Sequence, residues 1–209
     1  MSFLNKIRGR LWLLSTTGLS KGPHITRYSM YRHLRQIGAD LPIKEGDVLS
    51  ISHSQNFCEL LGVTPAKLTE ANFPEHNILD LKFEDNSFDF VFADEVLEHV
   101  EGSPQQAMDE SWRVLKPGGI VVHTTCLMMT VHGAPNDYWR FTPYGLALLA
   151  KQFTRIIDCG GWGNFDVWRL DRLGLRYAGI PHAGWHPLHK MAMKNDPHWP
   201  VVTWLVSQK

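Results

Sequence analysis

The segment from Asp80 to Thr125, which holds FDFVFADEVLEHV and, after a short gap, RVLKPGGIVVHTT, constrains the fold of this chain more than any other. Phe88 to Ala93 is apolar at every position but Asp89, as in a strand covered on both faces by helices. Asp94 follows directly, where a strand gives way to a helix that a carboxylate can cap. Val96, Leu97 and Val100 give that short helix an apolar side. A second helix starts at Ser103, a good N-cap, with Pro104 preset for its first turn. Its residues Met108, Trp112 and Leu115 fall on one stripe. Lys116-Pro117-Gly118-Gly119 ends it, and Ile120 to Val122 form the next strand. Joints this short close as a right-handed parallel crossover, so the chain is expected to build an enzyme-type doubly wound sheet.

Composition narrows the classes. Lys plus Arg and Asp plus Glu are 21 each, which leaves no net charge to draw the chain onto nucleic acid, and no nucleic-acid partner is expected. Apolar residues make up 44%, enough for a packed core. Cys58, Cys126 and Cys159 lie far apart without metal-ligand spacing, which fits reduced thiols and a cytoplasmic location. No apolar run approaches about 18 residues. His186 and His189 are close in sequence, but no cysteine or carboxylate completes a set with them, so no metal site is expected.

FDFVFADEVLEHV, followed by RVLKPGG and a strand, resembles the class I S-adenosylmethionine-dependent methyltransferases, of the type 11 kind, over roughly residues 45 to 160. The resemblance implies a Rossmann-like, doubly wound, mainly parallel sheet with an antiparallel last strand, and S-adenosylmethionine lying across the carboxyl ends of the first strands. The stretch HTTCLMMTVHGAPNDYWRFTP is similar to a subgroup of bacterial enzymes associated with surface-glycan or lipid modification, which implies a small-molecule, lipid-linked or glycan-type acceptor.

Carried onto this chain, the resemblance assigns cofactor-binding positions to Ser50, Ser52, Glu70, Asp80, Leu81 and Asp94. The first loop departs from the family. Ser50 stands at its acidic position, and Ser52, Ser54 and Asn56 stand where it has glycines, which let backbone approach the cofactor. Glu70, near the end of the second strand, matches the residue that bonds the ribose hydroxyls. Asp80 matches the contact to the adenine amine, with Leu81 against the ring. A turn aspartate bonding its own backbone is the other reading of Asp80. Asn72 to His76 leaves no room for a full helix, so the sheet is expected to be trimmed around its second and third strands.

His123 to Thr142 is a long loop in which an acceptor would be shaped. Imidazole suits proton removal near neutral pH, which makes His132 the candidate base and Asp137 its orienting partner or substitute. Pairing of Asp137 with Arg140 to hold the loop is the alternative. Thr142-Pro143 opens a helix carrying Leu146, Leu149 and Phe153. Ile156 to Cys159 and Val201 to Val206 are expected as the last strands, with Gly160 to Asn164 as a turn.

Residues 1–40 read as an amphipathic helical segment ahead of a methyltransferase-like domain at 41–209. Phe3, Leu4, Ile7, Leu11, Trp12 and Leu14 recur at near-helical spacing among Lys6, Arg8 and Arg10. Such a helix either packs on protein or lies on the inner face of a membrane as a peripheral contact. Two functions follow: an S-adenosylmethionine-dependent methyltransferase, or a methyltransferase-like binding protein whose altered loop has lost the cofactor. A nicotinamide oxidoreductase is disfavoured, since no G-x-G-x-x-G follows the first strand.

Overall fold

A computed structural model describes residues 3–133, 135–171 and 173–209, with side chains for all of these but 3–8 and 171. Two units emerge. One comprises residues 1–33, 128–130 and 161–202; the other comprises 34–127, 131–160 and 203–209. The first of these units joins the N-terminal 33 residues to 161–202.

The first unit holds α1 (Phe3–Ser15), β1 (Lys21–His24), the start of α2 (Ile25–Ala39), α6 (Phe165–Asp171), β7 (Gly179–Pro181) and α7 (Pro187–Met193). β1 and β7 pair antiparallel. Its histidines serve as packing residues. His186 caps α7, its Nδ1 accepting the Leu188 N–H at 3.1 Å, so its Nε2 carries the proton that faces Ser15 Oγ at 3.2 Å. The Tyr28 hydroxyl lies 3.1 Å from Nδ1 of both His182 and His189. Trp12 meets the His186 ring edge-on, whereas Leu11, Leu13 and Leu14 are exposed. Phe3, Leu4, Lys6, Ile7 and Arg8 lie outside the described side chains.

In the second unit the strands are β2 (Glu45–Ile51), β3 (Thr64–Ala71), β4 (Phe88–Asp94), β5 (Leu115–Cys126), β6 (Arg155–Trp162) and β8 (Val202–Gln208). They form one six-stranded sheet in the order β3-β2-β4-β5-β8-β6. β2 runs parallel to β3 and β4, and β4 parallel to β5. β8 is antiparallel: its end, through Lys209, bonds Gly118 and Gly119 at the start of β5, and Gln208 bonds Thr154 at the start of β6. Gly160 and Gly161, expected in a turn, extend β6, and the Trp204 ring fills the space beside Gly160.

Each face of the sheet follows from strand alternation. Leu49, Ile51, Val91, Ala93 and Val121 pack with Met108 and Val114 of α4 (Pro104–Val114) and Leu146 of α5 (Pro143–Leu149). Ser103 and Thr142 cap those two helices as expected, accepting the N–H groups of Gln106 and Gly145. The opposite face carries Phe92, whose ring meets Phe57 of α3 (Asn56–Leu61). Gly38 lets α2 lie against α3: a Cβ there would stand 2.6 Å from Leu61 Cα and 2.7 Å from its carbonyl oxygen. Gly38→Ala should therefore destabilise the protein by about 1–2 kcal/mol, although alanine favours helix by about 1 kcal/mol. Chemical denaturation measures it, and a gain in stability would contradict this packing.

Between β3 and β4 the sheet is trimmed. An isolated bridge, Asn77 to Asp80, stands there in place of a crossover helix. Arg113 of α4 takes over the helix's work of satisfying backbone. Its guanidinium donates to the carbonyls of Leu81 and Phe83 (2.8 Å each), to Asp85 (2.7 Å) and to Glu110 (2.7 and 2.8 Å). Glu110 in turn accepts the Leu81 N–H at 2.8 Å, and the arginine beside it holds its carboxyl below the usual range.

Candidate active site

The carboxyl ends of β2 and β4 open onto a cavity of about 390 Å³, within the range of small-molecule sites. Ile51, Ser52, Asn77, Ile78, Asp94 and Val96 line it, with His99 and Tyr138 from the segments that follow β4 and β5. Its floor is the loop after β2. Ser52 and His53 have φ of 52° and 62°, the left-handed conformation that costs a non-glycine residue roughly 1–2 kcal/mol. Four hydrogen bonds hold them there. The Ser52 N–H donates to Ala71 O (3.1 Å) and the His53 N–H to Asn72 Oδ1 (2.9 Å). Ser54 Oγ donates to Ile51 O (2.5 Å) and accepts the Asp94 N–H (2.8 Å), which ties the loop to the end of β4. So the chain makes, without glycine, the turn that glycine would make cheaply.

Across the cavity, Glu95 is also left-handed, with φ of 58°, its N–H bonded to both Thr124 O and Oγ1. Thr124 Oγ1 donates to Asp94 Oδ1 at 2.6 Å. Strain of this kind persists where surrounding bonds over-determine it, and it clusters at ligand sites.

The predicted cofactor residues divide. Ser52 and Asp94 line the cavity. Asp80 does not: its side chain is 65% exposed and pairs with Lys82, in the turn that its own N–H closes onto Asn77 O. Leu81 is buried in the core. Asn77 and Ile78, a few residues earlier, stand at the cavity instead. The shift arises because the loop turns at Asn77–Asp80, which sends Asp80 outward. Ser50 and Glu70 pair in register across β2 and β3 and point to the α3 face, where Glu70 lies near Cys58. Ser50 Oγ and both Glu70 carboxylate oxygens are buried there without a hydrogen-bond partner among the described residues.

The 131–141 loop docks on the turn after β4. The N–H groups of Tyr138 and Trp139 bond Glu98 O, and Trp139 Nε1 bonds Val100 O. Asp137 is nearly fully buried and accepts the Arg140 guanidinium, the His132 N–H (2.8 Å) and His132 Nδ1 (3.2 Å). The guanidinium holds its carboxyl down to about 2, too weak a base for proton removal, so Asp137 orients His132 and also pairs with Arg140. His99 was not singled out by sequence, yet it lines the cavity. Its Nδ1 donates to Asn136 O at 2.5 Å, which leaves Nε2 as the acceptor nitrogen. His123, assigned to the loop by sequence, is fully buried in β5 with Nε2 3.1 Å from Ser111 Oγ, and burial lowers its pKa to about 4.

Near the cavity lies a group of unlike donors, the buried Glu98 and Cys126 and the partly exposed His132. Glu98 is wholly buried, with Oε2 accepting from Thr125 Oγ1 at 2.8 Å, and burial raises its carboxyl to about 7. Burial and the neighbouring Glu98 and Glu95 push the Cys126 thiol well above its ordinary value.

A mainly parallel sheet with its cavity at the switch between β2 and β4, entered over a tight left-handed loop, is the ligand-binding arrangement of Rossmann-like doubly wound folds. Residues 31–123 match the family described as methyltransferase domain. A demethylmenaquinone methyltransferase of Bacillus cereus (strain B4264) is 28% identical over 121 residues, 57% of this chain and 51% of the relative. The chain thus spans about half the length of the curated relatives it matches. Among solved structures, a SAM-dependent methyltransferase from Archaeoglobus fulgidus superposes with a TM-score of 0.53 at 11% identity, covering 88% of this chain and 94% of that one. One from Mesorhizobium loti gives 0.52 at 11% identity, covering 88% and 98%. These two share the fold.

The lining fits the cofactor. Asn77 offers an amide to a purine edge, Ile78 and Val96 offer apolar surface to its ring, and Asp94 offers a carboxylate to a cation that carries both an ammonium and a sulfonium.

Proposed function

We propose that this protein transfers the methyl group of S-adenosylmethionine to a small-molecule acceptor of the lipid-like or glycan type. The observation that carries the reading is the cavity at the ends of β2 and β4, with Asp94, Asn77 and the left-handed Ser52–His53 loop around it. The same loop counts against a binding protein that has lost its cofactor, since a strained turn is kept where it does something. The acceptor class draws support from the name of the Bacillus cereus relative and from the aromatic, histidine-bearing 131–141 loop.

When bound, S-adenosylmethionine supplies a methyl group on a sulfonium. The chain's own residues position, shield and take up a proton. Asp94 favours the cationic ligand, and Tyr138 and Phe73 cover the cavity from its rim. His99 lines the cavity with its Nδ1 tied to Asn136, and it is the imidazole that takes up the nucleophile's proton, the role that sequence alone gave to His132. Calorimetric titration with S-adenosylhomocysteine and S-adenosylmethionine tests the reading. One site of micromolar affinity is expected, about −8 kcal/mol. No heat and no thermal stabilisation at millimolar ligand would overturn it.

A further inference from the structure

We propose that Glu98, Cys126 and His132 form a divalent metal site of the zinc type beside the cofactor cavity. The three come from separate segments: the turn Leu97–His99 after β4, the last residue of β5, and the loop beyond it. One ligand atom from each lies within 4.8 Å of the others. Tetrahedral zinc, with bonds of roughly 2.0–2.3 Å, holds its donors roughly 3.3–3.8 Å apart, so shifts of about an ångström close the set.

Independent features of the surroundings point to a cation. Glu98 has no exposed surface, and the Glu95 side chain and Asp94 stand near its carboxyl, so acids gather out of water, a costly arrangement that a cation between them relieves. Glu98 Oε2 is fixed by Thr125. His132 is oriented through Nδ1 by Asp137, itself clamped by Arg140. A carboxylate behind a ligating histidine is the usual support of a zinc ligand. Thiolate and imidazole together select zinc-like ions over magnesium or calcium.

Three protein ligands leave a fourth position open. That position has a neighbour with access to the cavity: the His99 ring meets His132 edge-on at 5.0 Å, and its Nε2 is 3.9 Å from Glu98 Oε1. His132 then serves as a ligand and His99 remains the imidazole for proton transfer. Binding releases the Cys126 thiol proton to solvent, so the thiolate and the carboxylate balance the charge of the ion.

The test uses Co²⁺ as a spectroscopic probe on the full chain after chelator treatment, in a reducing buffer free of chelator, and reads metal binding apart from activity. One Co²⁺ per chain is expected, with the visible bands of a four-coordinate ion and a thiolate charge-transfer band, both lost when Zn²⁺ displaces it. Cys126→Ser should remove the charge-transfer band, and His132→Gln should weaken binding by at least about 100-fold, while Asp137→Asn weakens it by about 10–100-fold. Cys159→Ser should change nothing. His132 is partly exposed on a loop, so its variant keeps the test valid if Cys126→Ser does not fold. No binding by folded protein at millimolar Co²⁺ and Zn²⁺, or a charge-transfer band that survives Cys126→Ser, would overturn the site.

Discussion

Asp94→Ala is expected to weaken S-adenosylhomocysteine binding by about 30- to 100-fold, and Asp80→Ala to leave it within about twofold. The family pattern alone favours Asp80, and the geometry reverses that ranking. Asp94 lines the cavity with its carboxylate held by Thr124 and its N–H by Ser54, whereas Asp80 is exposed beside Lys82. A charge-assisted hydrogen bond to the ammonium that S-adenosylhomocysteine shares with S-adenosylmethionine is worth about 2–3 kcal/mol, which sets the size of the loss. Parallel titrations of the two variants decide the matter. Equal losses from both would mean that the turn at Asn77–Asp80 rearranges around the ligand.

The second large effect is on stability in acid. His123 is fully buried, and burial lowers its folded pKa to about 4, below the usual value near 6.5. Above about pH 6.5 the imidazole is neutral in both states and the pH has no leverage through it. As the pH falls from there towards 4, the unfolded chain takes up the proton and the folded chain does not, so stability is lost. The loss from this residue reaches about 2.5 kcal/mol at pH 4.5. Denaturant melts at pH 7 and pH 4.5 should show His123→Asn losing about 2.5 kcal/mol less than the parent protein over that interval. An identical pH dependence in the two would show that the ring is protonated within the fold.

The sheet was legible because strand and helix periods, caps and stops repeat along Asp80 to Thr125, and each is a local signal. Phe88–Ala93, the Ser103 cap and the trimmed stretch after β3 all follow from neighbours in sequence. The site was less legible because it depends on where a loop turns. One reversal at Asn77 exchanges Asp80 for Asn77 at the cavity, and strand alternation turns Ser50 and Glu70 to the far face. Glu98 and Cys126 carry no mutual spacing in sequence, and they meet because β4 and β5 are adjacent strands. The spacing of Glu95, Glu98 and His99, at i, i+3 and i+4, was the available hint that one turn gathers acid and imidazole.

A glycine loop is supple before its ligand arrives, and part of the binding free energy is spent in stilling it. The loop after β2 has already met that cost during folding, because serine and histidine in left-handed conformations, pinned by Ala71, Asn72 and Asp94, have little freedom left to lose. Its affinity for a cofactor should respond weakly to temperature-driven loop disorder, and enthalpy should dominate the heat of binding. The missing glycines then mark a receptor rigid in advance, with selectivity for one shape of ligand gained in place of accommodation.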